Sequence, residues 1–125
     1  MEGRYAIAKF PCDAEIPAWA TGSAFFTVTR TPEELSVVAA EASVPAGLEA
    51  SRGWRMLKVH GPFSFDETGV VAALANPLAR VGVGIFVIST FDTDYLLVQQ
   101  EEIPVVVETL EHAGHKIFSL ELLNS

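Results

Sequence analysis

The chain is poor in what several broad classes of protein require. It has a single cysteine, Cys12. That excludes an intramolecular disulfide framework and is the usage expected of a reducing, cytoplasmic compartment. Basic residues are scarce: eight Lys and Arg stand against sixteen Asp and Glu, for a net charge of −8. The excess of acid runs through both halves, so no basic stripe exists to release counterions from a phosphate backbone, and nucleic-acid binding is disfavoured. Long apolar runs are missing as well. The longest, Val81 to Ile88, has strand length and carries Gly82 and Gly84, whereas a membrane span needs about 20 apolar residues. No basic segment followed by an apolar stretch and a cleavage site opens the sequence, so no secretion signal and no membrane partner are expected.

Catalytic and cofactor signatures are equally thin. His60, His112 and His115 lack a further ligand at useful spacing, and Cys12 is remote from them in sequence, so no metal site is expected. Ser89, His60 and Asp92 supply the residue types of a hydrolytic triad, but nothing fixes a nucleophile elbow or an oxyanion hole. Gly82-Val83-Gly84 lacks a third glycine and precedes a strand rather than a helix, so it is not a dinucleotide fingerprint. The expectation is a protein without cofactor and without enzymatic activity.

What the sequence does have is apolar content arranged in short periods. Half of it is hydrophobic, with mean hydropathy +0.32, enough to bury a core in one domain or in two very small ones. Arg4 to Phe10 alternates as a strand does, and Pro11-Cys12-Asp13 breaks it. Asp13 is placed to cap a short turn through Ile16 to Trp19. Ala24 to Arg30 is rich in aromatic and β-branched residues and reads as a strand. Leu35 to Ala40 is short for a helix, so Thr31-Pro32-Glu33-Glu34 reads as the turn of a hairpin. Pro45 to Gly53 reads as a polar linker.

The second half is clearer. Trp54 to His60 is a predicted strand, stopped by Gly61-Pro62. A helix is predicted from Thr68 to Leu78, with Val70, Val71, Leu74, Leu78 and Val81 at three- and four-residue steps, and Pro77 argues for an early end or a kink. Ile85 to Thr90 and Tyr95 to Gln99 form two strands about an Asp92-Thr93-Asp94 corner. Glu101-Glu102 opens a second helix with Ile103, Val106, Val107, Leu110 and Ala113 on one face and Gly114 just past its end. Lys116 to Leu122 is a last strand. The order β-α-β-β-α-β predicts an α+β, ferredoxin-like fold with antiparallel strands. The first half has the same order with a shrunken helix, which suggests an internal duplication.

Two places carry chemistry. Asp66-Glu67-Thr68-Gly69-Val70 opens a helix, where free backbone N–H groups attract a carboxylate and Gly69 lets it approach closely. Asp66 and Glu67 can accept from an ammonium, or serve only as an N-cap and a first-turn acid. Asp92 and Asp94, on one side of a regular strand, would form a carboxylate pair for a basic ligand. The alternative is ordinary turn chemistry. Ser89 and Thr90 can offer hydroxyls to a ligand or satisfy groups at a strand end.

Asp66-Glu67-Thr68-Gly69-Val70, followed by Val81 to Thr90 with its Ile88-Ser89-Thr90 ending, resembles the ACT-domain family. Thr68 stands where many ACT domains carry proline. The stretch Ile88 to Val98, and Phe25 to Val38 in the first half, resemble small bacterial proteins with two tandem ACT-like halves. These are similar to the ACT halves of the animal arginine sensor CASTOR and of aspartate kinases. The resemblance implies a degenerate N-terminal ACT-like half at 1–53 and an ACT domain at 54–125, paired as a homodimer. It implies a non-enzymatic regulatory module that senses a free amino acid, such as arginine, lysine or another small amino acid, between ACT halves. The ligand residues it implies are Asp66, Glu67, Thr68, Gly69, Val70, Ser89, Thr90, Asp92 and Asp94. The alternative is a protein-interaction scaffold with a vestigial ligand pocket.

Overall fold

The computed structural model describes residues 3–59 and 69–115. The chain forms two compact units, Gly3–Trp54 and the residues from Arg55 onward. Strand β4 (Ser51–Lys58) contributes its first residues to one unit and its last to the other.

In the first unit the strand order is β2-β3-β1-β4, with β1 at Tyr5–Phe10, β2 at Thr27–Arg30 and β3 at Leu35–Ala40. β2 and β3 form the expected antiparallel hairpin. Its turn is held by Thr31, whose hydroxyl accepts from the backbone N–H of Glu33 and of Glu34, each at 3.1 Å. The strand predicted from Ala24 begins only at Thr27. Phe25 instead meets the Tyr5 ring edge-on, with ring centroids 5.8 Å apart. The short turn after β1 is a 3-10 helix at Ala18–Thr21 that has Pro17 at its N-cap and no side-chain cap, so the capping role foreseen for Asp13 is not there. β1 pairs with β3 along its whole length, and Ala6, Val37 and Ala39 pack with Ala20 and Val44 as the core. Small residues on β1 and β3 leave room for the rings of Phe10 and Trp19 above them.

The segment read as a linker to Gly53 is already strand from Ser51. Tyr5 pairs with Trp54 but Ile7 pairs with Ser51, which leaves one extra residue on β4. Gly53 absorbs this bulge with φ of 80°, a conformation that glycine adopts without steric cost. Glu41 fixes it, accepting from the Gly53 N–H at 2.8 Å.

In the second unit the strand order is β4-β6-β5, with β5 at Phe86–Ser89 and β6 at Asp94–Gln99, and the two helices are α1 (Val70–Arg80) and α2 (Ile103–His112). Leu57 of β4, Leu96 and Val98 of β6, Leu78 of α1 and Val106 and Leu110 of α2 form its core. The architecture is α+β with antiparallel strands and a ferredoxin-like order. The predicted last strand, Lys116 to Leu122, lies outside the described residues, as do the Gly61-Pro62 stop and Asp66, Glu67 and Thr68.

α1 ends two residues later than predicted. Val81, expected on the apolar face, is 51% exposed, whereas Val83 is buried. The reason is Gly82, at φ 79°. It turns the chain so that its own N–H donates to the Ala79 carbonyl and the Val83 N–H to the Leu78 carbonyl. Val83 then folds back over Leu78, closing the helix with an apolar contact. Gly114 ends α2 the same way, with Gly114 N–H on Glu111 and His115 N–H on Leu110.

Pro77 sits inside α1 without ending it. Proline has no N–H, so the carbonyl four residues earlier, on Ala73, loses its helical donor. The His115 ring takes that place: its Nε2 lies 2.9 Å from the Ala73 oxygen. A carbonyl can only accept, so Nε2 carries the proton. His115→Ala should therefore cost about 1 kcal/mol. In a Pro77→Ala background it should cost much less, because residue 77 again donates to Ala73. Denaturant unfolding of the four proteins in this double-mutant cycle measures that coupling; strict additivity would contradict the assignment.

Candidate functional site

α1 begins after Gly69, which has φ of 80° and, as a glycine, no side chain to cap the helix. The Gly69 carbonyl accepts the first helical bond, from Ala73. The amides of Val70, Val71 and Ala72 belong to the first turn and have no partner within the helix. They carry the positive end of its dipole. A side chain added at Gly69 would meet no atom within 4 Å, so it is the backbone conformation, not crowding, that favours glycine there.

The second place is the β5–β6 hairpin. Ser89 pairs directly with Asp94, and the Ser89 hydroxyl donates to Asp94 Oδ1 at 2.6 Å. The turn itself is Thr90 to Thr93, closed by Thr90 N–H on the Thr93 carbonyl at 2.8 Å and reinforced by the Thr90 hydroxyl at 3.1 Å. This corrects the expected corner. Asp94 is the first residue of β6, not part of the turn, whereas Asp92 lies in the exposed turn. Strand alternation therefore does not hold the two carboxylates side by side. The Ser89 and Thr90 hydroxyls are both used within the hairpin.

Topology sets these two places at one end of the second unit. The Val59 N–H donates to the Asp94 carbonyl, so the hairpin tip lies beside the C-terminal end of β4. At the other end of the hairpin, Phe86 pairs with Leu97, and α1 closes only a few residues before Phe86. The helix thus runs away from the hairpin tip and starts toward it. Among the described residues no hydrogen bond joins the helix start to the hairpin.

Two concavities among the described residues lie elsewhere. One of about 550 Å³ follows α2 past Pro104, Val107, Glu108 and Glu111. Another, of about 650 Å³, lies in the first unit among Lys9, Phe10, Glu33, Glu49 and Ser51. Among the described residues no group of three or more His, Cys, Asp or Glu is arranged to hold a metal ion, and no helix is long and apolar enough to cross a membrane.

Sequence reasoning passed over Arg55. It stands in the apolar run Trp54-Arg55-Met56-Leu57, and its Nε is buried without a hydrogen-bond partner. A charge set between Trp54 and the apolar pair Met56-Leu57 is the available signal.

A family model described as an ACT domain matches residues 49–112, about half of the chain. The chain belongs to the ACT-domain family. A second family model, for an N-terminal domain, matches residues 3–47. A crystal structure of an Agrobacterium tumefaciens protein is 43% identical to this ACT protein, with a TM-score of 0.86, over 93% of this chain and 87% of that one. The rat cytosolic arginine sensor for mTORC1 subunit 1 is 48% identical over 59 residues. That match takes in 46% of this chain but only 18% of the sensor's length. The regulatory subunit of aspartate kinase from Thermus thermophilus, in its ligand-free form, shares the fold, with a TM-score of 0.61 at 11% identity over 90% of this chain and 92% of that one.

Proposed function

We propose that this ACT protein is a non-enzymatic regulatory module that binds a free amino acid. The observation that carries the reading is that α1 begins at a glycine, Gly69, which has no side chain to cap it, within a matched ACT segment. Three amides there, behind a glycine with no side chain, suit an α-carboxylate. Asp66, Glu67 and Thr68 precede this point in sequence and complete the proposed set with Gly69 and Val70. Ser89, Thr90, Asp92 and Asp94 serve the amine or the side chain. Asp94 is the best placed of the four, because Ser89 engages one of its carboxylate oxygens and leaves the other for a cation. The similarity to an arginine sensor supports a basic amino acid, arginine first.

Residues 1–53 are read as a degenerate ACT-like half and 54–125 as the ACT domain proper, paired as a homodimer in the cytosol. Binding between halves favours one geometry of the pair over another, and that difference in affinity is what a downstream partner reads.

A thermal-shift screen of the twenty amino acids tests the reading. At one hundred times its dissociation constant a ligand stabilises by about 2.7 kcal/mol. One amino acid, or one chemical group of them, should raise the melting temperature, and Asp66→Ala should remove the effect. No shift with any of the twenty would replace this reading with that of an interaction scaffold whose pocket is vestigial.

A further inference from the structure

The concavity in the first unit has a volume of about 650 Å³, and its walls include Ile7, Lys9, Phe10, Pro11, Glu33 and Glu49. Small-molecule sites commonly span about 300–1,000 Å³. Three pieces of chain meet around it: the end of β1, the turn between β2 and β3, and the entry to β4. Ile7 pairs with Ser51, so an antiparallel ladder carried two residues further would set Lys9 against Glu49. β4 begins only at Ser51, short of that pairing. On the other side of β1, Phe10 pairs with Leu35, two residues past Glu33. Lys9 thus stands at the end of the sheet, between one acid on the turn and another on the incoming chain.

The three charged side chains around this space are exposed and unengaged. Elsewhere in the unit, Arg30 donates to the Cys12 and Ala14 carbonyls, and Arg52 to those of Pro45 and Leu48. Glu41 accepts from the Gly53 N–H and lies 4.0 Å from Arg4. By contrast, among the described residues the Lys9 ammonium and the Glu33 and Glu49 carboxylates form no ion pair and no hydrogen bond. An exposed ion pair contributes little, so holding the three apart costs little. The result is one cation and two anions set around a hollow, with Ile7, Phe10 and Pro11 as its apolar wall.

We propose that this concavity binds a basic amino acid, with Lys9 receiving the α-carboxylate and Glu33 and Glu49 the two cationic groups. The count of charges sets the ligand class. Arginine and lysine each carry one carboxylate and two cations, the complement of what lines the hollow. A diamine would put like charge against Lys9, and a dicarboxylic acid would put it against Glu33 and Glu49. An amino acid with an uncharged side chain would leave one of the two acids unmatched. The aliphatic stem of a basic side chain rests readily on an apolar wall. The inference rests on the charges of this concavity alone. It lies wholly in the first unit, whereas the start of α1 and the β5–β6 hairpin belong to the second.

Amide chemical-shift mapping of the whole isotope-labelled chain is the test, with arginine titrated in and sodium chloride at equal ionic strength as the reference. Saturable shifts should appear at Lys9, Phe10, Glu33, Glu49 and Ser51. The amides of Val70, Val71 and Ala72 report on the start of α1 in the same spectra, so the two sites are read separately. Norvaline, which lacks the second cation, and putrescine, which lacks the carboxylate, should bind in the first unit about 2- to 5-fold more weakly than arginine, the range of one exposed charge pair. Lys9→Met and Glu49→Gln, both at exposed positions, should each weaken arginine there by the same factor and leave any shifts at α1 unchanged. Glu49→Lys, which reverses the charge, should weaken it further. No shift at the first-unit amides, equal binding of arginine and norvaline there, or shifts that persist unchanged in Glu49→Lys would each overturn the assignment. Shifts at α1 alone would overturn it and leave the amino-acid reading in place; shifts in the first unit alone would uphold it and overturn the site at α1.

Discussion

Leu78→Ala should be the most damaging single truncation in the second unit, lowering stability by about 2–5 kcal/mol, or roughly 10–20 °C in melting temperature. Leu78 is fully buried among Leu57, Leu96, Val98, Val106 and Leu110, which come from two strands and the other helix. Elements held on several sides cannot collapse into the space, so the cavity persists and its cost adds to the lost burial. Leu78 has a second role. Its carbonyl accepts the Val83 N–H, and the two side chains meet where Gly82 reverses the chain. Losing that contact loosens the turn that leads into β5. Val81→Ala, three residues on but 51% exposed, should change stability by no more than about 0.5 kcal/mol. Urea unfolding of the three proteins decides it; equal costs at 78 and 81 would contradict the closure of α1 described above.

The contrast between positions 78 and 81 shows where sequence was sufficient. Helical periodicity picks out Leu74 and Leu78 correctly, because both lie inside the helix where the period holds. It picks out Val81 wrongly, because Gly82 ends the period one residue later. The sequence places Gly114 just past a helix and Gly82 just before a strand, yet both close their helices by the same pair of hydrogen bonds. The difference is that the apolar run after Gly82 masks the stop. Thr31 to Glu34 was legible as a hairpin turn because its chemistry is local: a threonine hydroxyl bonding the next backbone amides. Gly53 was not legible as a bulge, because only the pairing of Ser51 with Ile7 and Trp54 with Tyr5 makes it one. Pro77 is a third case. Proline predicts a break, and the break is averted by His115, thirty-eight residues away in sequence. Asp92 and Asp94 follow the same logic. Spacing suggests a matched pair, but strand pairing assigns one to β6 and the other to the turn.

That assignment predicts a large asymmetry between the two acids. If arginine is the ligand, Asp94→Asn should weaken its binding by about 10- to 150-fold, the range of a charged hydrogen bond worth about 1.5–3 kcal/mol. Asp92→Asn should weaken it by less than about 3-fold, because an exposed turn carboxylate interacts with a cation through screened water. The substitution at 94 removes the charge but keeps an oxygen for the Ser89 hydroxyl, so the hairpin and its register remain. Ser89→Ala should fall between the two, since it leaves the charge and frees its orientation. Calorimetric titration with arginine and with an uncharged amino acid of similar length separates the causes. A carboxylate that holds a cationic side chain affects the first ligand and spares the second. One that holds the α-ammonium weakens both alike. Equal losses at 92 and 94 would return the pair to the symmetric carboxylate clamp that the spacing alone suggests, and would mean that the turn refolds around its ligand.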